Sequence, residues 1–141
     1  NAVGTFATIT RFAAGCATLD PVDGERGAIV CTASVAAQDG QMGQGAYSAG
    51  QAAIVGMTLP IARDLSRFGI RINTILPGTF GTPLMNQAPK EMQDRLTAMN
   101  AYPNRMGDPA EYASFALELC RNTYMNAQSI RLDAGVRFAA K

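Results

Sequence analysis

The chain has 141 residues, of which 48% are hydrophobic and 16% charged, with a net charge of +1. That is the length of one domain or part of one, with enough apolar content for a core. The small charge excludes an electrostatic case for nucleic acid or an anionic membrane as partner, and no apolar run reaches the roughly 18 residues of a spanning helix. Three separated cysteines, Cys16, Cys31 and Cys120, with no histidine, give no metal site. Each has apolar neighbours and reads as a small buried hydrophobe in a reduced, intracellular chain.

Residues 1–17 place Val3, Phe6, Ile9 and Ala13 at helical spacing. The Pro, Gly and Asp of residues 19–27 mark a turn region. AIVCTAS, residues 28–34, then reads as a short strand ending at Ser34. Residues 35–45, with three glycines, read as a loop; without GxGxxG or a Walker lysine it is no phosphate cradle.

A long helix is expected from Ala46 to Arg67, with Ile54, Met57, Ile61 and Leu65 near one stripe and Pro60 as a local break. GIRINTILPG is a β-branched strand running into Pro77-Gly78. Met92, Leu96 and Met99 suggest a short amphipathic helix between Pro89 and Pro103. At the next helix start, Asp108 caps, Pro109 fills the first turn and Glu111 completes a capping box. That helix runs to about Arg121 with Tyr112, Phe115, Ala116 and Leu119 inward, and Ser129 to Leu132 is the last strand.

Strand, loop and helix over residues 27–59 set a serine at a strand end and a tyrosine thirteen residues later near a helix start. In a parallel α/β fold this brings two hydroxyls together above the C-terminal end of the sheet, where they could polarise a carbonyl or alcohol oxygen. Ser34, Tyr47 and the word YSAGQ resemble the active-site segment of the short-chain dehydrogenase/reductase family, whose pattern is Tyr-x-x-x-Lys. TASVAAQDGQMGQGAYSA, IVGMTLPIARDL, FGTPL, RMGDPAEYA and IRLD resemble the branch that acts on 3-hydroxyacyl-CoA and hydroxysteroids. The likeness runs from Asn1 to about Arg137 and covers the C-terminal part of such an enzyme. Residues 1–141 are thus expected to be a single partial domain, a Rossmann-like three-layer parallel sheet without its N-terminal nucleotide-binding half.

The resemblance implies NAD-dependent oxidoreduction of a secondary alcohol or ketone, with a small-molecule acyl-CoA or hydroxysteroid substrate. Tyr47 would move the proton, Ser34 would position the oxygen, and Asn1, in a word matching Asn-x-x-Gly-Thr, would hold a relay water. Gln51 stands where the family has lysine. Gln51, Pro77, Gly78 and Thr82 would border the cofactor, and Gln41, Gln44 and Leu84 the substrate. The helices at 1–17 and 46–67 would form a homo-oligomer interface. Family members of this kind occupy the cytoplasm or the mitochondrial matrix.

Two departures weigh against activity. A phenol has a pKa of roughly 10, and the lysine one turn on stabilises its anion. Gln51 brings no charge, so the chain is expected to be an impaired catalyst, more so without a cofactor half, and sticky when isolated. The alternative reading is a non-catalytic subunit packing against an active copy. Ala127 and Ala134 stand where the family uses glycine, which foretells irregular local geometry.

Overall fold

The computed structural model describes residues 1–140. Its elements are α1 (Ala2–Cys16), β1 (Gly27–Thr32), α2 (Ala36–Asp39), α3 (Gly45–Leu65), β2 (Ile70–Pro77), α4 (Pro83–Asn86), α5 (Lys90–Ala98), α6 (Pro109–Arg121) and β3 (Ser129–Leu132). The three strands form one parallel sheet in the order β1-β2-β3. Gly27 pairs with Ile70 at one end of the first ladder, and Thr74 with Ser129 at one end of the second.

Strand alternation sorts β2 between two layers. Ile72 and Leu76 enter the main core with Ile54, Ile61 and Ala62 of α3 and Ile9 of α1, while Ile70 packs with Ala13 and Cys16. Arg71 and Asn73 point the other way, toward α6 and the segment after it. The buried Arg71 pairs with Glu25 and donates to the carbonyls of Leu119, Cys120 and Met125 at 2.8 Å each. A strand cation therefore satisfies carbonyls at the end of α6 that no helical amide reaches. The Asn73 side chain donates to the Met125 carbonyl and accepts from the Gln128 N–H, tying the same segment to β2.

The elements match the sequence expectations closely, but β1 stops at Thr32 rather than Ser34, α3 runs on through Pro60, and four further corrections follow. The 35–45 loop contains a helical turn, α2. The long helix closes at Leu65, where residues 66–68 tighten into a 3₁₀ turn capped by Gly69. Gly69 adopts φ 66°, and a Cβ there would meet the Gly24 carbonyl oxygen at 2.4 Å. In α1 the buried face is Ile9, Ala13 and Cys16, whereas Val3 (84%) and Phe6 (50%) stay exposed because no layer covers that side. Cys120 is likewise exposed, since it falls on the outer side of α6, while Cys16 and Cys31 are buried as expected. No helix among the described residues is long and apolar enough to cross a membrane.

Candidate active site

Parallel strands deliver their C-terminal ends to one edge of the sheet, and the loops that follow them meet there. β1 ends at Thr32, and the chain turns through Ala33 and Ser34 into α2. Ser34 is buried, and its Oγ accepts a hydrogen bond from the Ala36 N–H at 3.1 Å. That contact aims the hydroxyl and leaves its own proton to be donated outward. Tyr47 lies in the first turn of α3 and is half exposed. β2 ends at Pro77, followed by Gly78 and Thr79.

These segments enclose a cavity of about 620 Å³. Seven of the residues expected from the sequence, Ser34, Tyr47, Gln41, Gln44, Pro77, Gly78 and Thr82, stand in its wall. Leu84 does not: it is 82% exposed, and its neighbour Met85 lines the cavity in its place. The reason is the short helix α4. The Thr82 hydroxyl accepts from the Met85 N–H as an N-cap and turns Met85 inward and Leu84 out.

Asn1 and Gln51 also stand outside the cavity wall. Asn1 lies against Gly50 of α3, where a Cβ would come within 3.6 Å of the Asn1 Cβ. Gln51, one turn beyond Tyr47, is 6% exposed, and its Oε1 is buried without a hydrogen-bond partner among the described residues. An unpaired buried amide oxygen costs about 1–3 kcal/mol. It is the kind of debt that a bound hydroxyl would settle. Gly78 has a local explanation as well. A Cβ there would lie 2.9 Å from the Cβ of Asp133, so β3's trailing loop already demands glycine.

The sequence did not reveal several other wall residues. Tyr112 of α6 reaches Thr32 at the end of β1, hydroxyl to hydroxyl at 2.6 Å, and its ring meets Phe80 edge to face at 6.0 Å. Its helical spacing showed that Tyr112 faces inward, but nothing local could name a partner eighty residues away. Phe138 also enters the wall. It is brought there by Arg131, which binds Asp39 at 2.9 Å and the Val136 carbonyl at 2.7 Å, while the Phe138 N–H donates to Asp39. The tail then joins the loop before α3: Met42 N–H donates to the Ala140 carbonyl and Gln41 Nε2 to the Ala139 carbonyl. Burial alone would raise the Asp39 pKa. The bonds from Arg131 and Phe138, with the charges of Arg131 and Arg137, outweigh it and hold the carboxyl below its usual range.

A parallel α/β sheet, a serine at a strand end and a tyrosine at the next helix start define the class, and the comparisons with known proteins agree. A family model described as "Enoyl-(Acyl carrier protein) reductase" matches residues 5–137. The chain belongs to the short-chain dehydrogenase/reductase family. It is 49% identical over 138 residues to 3-hydroxyacyl-CoA dehydrogenase type-2 of Homo sapiens, with 97% of this chain and 53% of that protein covered. It is 50% identical over 139 residues to the protein of that name from Drosophila melanogaster, with 97% and 54% covered. A crystal structure of 3-hydroxyacyl-CoA dehydrogenase type-2 from Mycobacterium avium superposes with a TM-score of 0.92 at 44% identity, over 98% of this chain and 54% of that one. A 3-oxoacyl-[acyl-carrier protein] reductase with bound NAD from Brucella melitensis gives 0.78 at 30% identity, over 96% and 48%. The chain spans about half the length of the relatives it matches.

Proposed function

We propose that this chain carries the reacting half of an NAD-dependent dehydrogenase for a secondary alcohol or ketone, with a 3-hydroxyacyl-CoA as substrate and a hydroxysteroid as the other class to test. The observation that carries the reading is the convergence of Ser34 and Tyr47 on one cavity with Gln41, Gln44, Pro77 and Thr82. Ser34 donates to the substrate oxygen, and Tyr47 takes the hydroxyl proton on oxidation or returns it on reduction. The nicotinamide supplies hydride acceptance and donation. NAD is favoured by one similar structure, the Brucella melitensis reductase, which has NAD bound.

The residues present fit such a group at two points. The orphaned Gln51 Oε1, buried outside the cavity wall, is an acceptor that a ribose hydroxyl meets once the side chain turns outward. The Thr82 hydroxyl, although it accepts as a cap, keeps its proton for an outside partner. What Gln51 does not bring is the positive charge that eases ionisation of Tyr47, so turnover is slow. Partners are further copies of the same chain, packed through α1 and α3.

The test is NADH oxidation by the full-length polypeptide with 3-oxobutanoyl-CoA and with a ketosteroid. Tyr47→Phe should lower kcat at least a hundredfold; a Tyr47→Phe protein as fast as its parent overturns the reading. Gln51 also favours a second reading, a non-catalytic subunit of an active assembly. That reading requires no turnover by the pure protein and no gain from Gln51→Lys.

A further inference from the structure

Beside the cavity of Ser34 and Tyr47 lies a second one, of about 550 Å³. Gln41, Gln44 and Leu96 stand in the walls of both, so the two spaces adjoin. The lining of the second is mixed: Pro89, Met92 and Leu96 are its apolar part, and Gln41, Gln44, Glu91 and Arg95 its polar part. Its charges come from α5 alone: Glu91 and Arg95.

The charges of α5 are not equivalent. Lys90 is neutralised by Asp94 at 2.6 Å, one turn on. Glu91 and Arg95 have the same i, i+4 spacing yet form no ion pair, and the Arg95 guanidinium makes no hydrogen bond among the described residues. Arg95 is exposed, so its five donors face solvent and are free to exchange water for a ligand's oxygens. An arginine fork cannot accept a hydrogen bond, and it matches the paired oxygens of phosphate or carboxylate. Pro89, Met92 and Leu96 offer apolar contact to a carbon chain leading to such a group.

We infer that this second cavity takes the anionic far end of the substrate whose reacting oxygen sits at Ser34 and Tyr47, with Arg95 as the specificity-determining contact. The inference rests on the dehydrogenase reading above. The shared chemistry is a phosphate or carboxylate, which could belong to the phosphorylated carrier of a thioester or to the far end of the acyl chain. Glu91 opposes the anion, so Arg95 works against a neighbouring negative charge and its contribution falls with added salt.

Three 3-oxoacyl substrates separate the sources in the full-length enzyme. One is a coenzyme A thioester of a short acyl chain. The second is an N-acetylcysteamine thioester of the same chain, which has no charge. The third is an N-acetylcysteamine thioester whose chain ends in a carboxylate. Arg95→Gln should raise KM about tenfold for one anionic substrate relative to the neutral one, with kcat little moved, and Arg95→Lys should recover part of the loss. Loss confined to the coenzyme A thioester assigns the carrier phosphate, and loss confined to the carboxylate substrate assigns the chain end. An equal change for all three, or none, overturns the inference. If no variant turns over any substrate, the dehydrogenase reading fails instead. Calorimetric titration with phosphopantetheine and with a dicarboxylate then decides. A tenfold weaker Kd for either in Arg95→Gln supports the site, and the same Kd in both proteins, or no binding of either, overturns it.

Discussion

Gln51 sits one helical turn from Tyr47, where the family pattern has a lysine, and it is buried with its carbonyl oxygen unpaired among the described residues. A cation near an acidic group favours the ionised form by about one to three pKa units. Gln51→Lys should therefore raise the rate limited by proton transfer about ten- to a thousandfold and extend activity to lower pH, measured as kcat against pH with NADH. An unmoved profile would show that the defect lies elsewhere. A second pair of residues departs from the family in backbone rather than charge. Ala127 has φ 61° and Ala134 φ 53°, both left-handed, where a Cβ costs about 1–2 kcal/mol. Ala127→Gly and Ala134→Gly should each stabilise the fold by about 1 kcal/mol, read as a rise in Tm. These sites were legible from the sequence because a family word carries its glycines in fixed places. Val3 and Phe6 were not, because spacing alone cannot tell which side of a helix the next layer covers.

α6 illustrates how an element depends on distant groups. Its start was readable: the Asp108 side chain accepts from Ala110, and Glu111 accepts from the Asp108 N–H and pairs with Arg105 at 2.8 Å. Arg105 and the Asp108 amide hold the Glu111 pKa at about 2. Its end depends on Arg71, forty-eight residues before Leu119 in the chain. No local pattern announces that a strand arginine will close a helix. Arg71→Met would leave the helix-end carbonyls unpaired and strand Glu25, at a cost of about 3 kcal/mol, checked by urea unfolding. The segment after β3 is tied down in a similar way, through Arg131 and Asp39. Because the folded-state pKa of Asp39 is depressed, its contribution is complete above the ordinary carboxylate pKa and is lost as pH falls through the lower folded value. Asp39→Asn should therefore loosen Phe138 and the Gln41–Gln44 loop at neutral pH, raising KM several-fold more than it lowers kcat. The parent protein should approach that behaviour only in acid. Equal KM in both proteins at neutral pH would show that the tail does not shape the cavity.

At the scale of the molecule, the surface is where the chain's own packing stops. Val3, Phe6 and Phe12 on α1 and Leu59 on α3 are 45–84% exposed. These two helices pack together on one face of the sheet, and each leaves apolar side chains to solvent, although Phe12 turns toward β1, where it lines a cavity with Ala28, Ile29 and Val30. Exposed apolar side chains on both helices fit the association proposed above, in which an isologous contact would let the same two helices meet their copies. The sequence located the helices but could not expose this surface, because exposure depends on what the sheet leaves uncovered. Phe6→Glu with Leu59→Glu places charges where a copy would bury apolar groups, at a cost of several kcal/mol per interface. Sedimentation of the full-length protein should then shift from an oligomer to the monomer, while the circular dichroism of the sheet and helices stays the same. A double variant that sediments like its parent would locate the interface elsewhere. If assembly also supports the cavity, dilution of the parent protein should reproduce the loss of turnover that the variant shows.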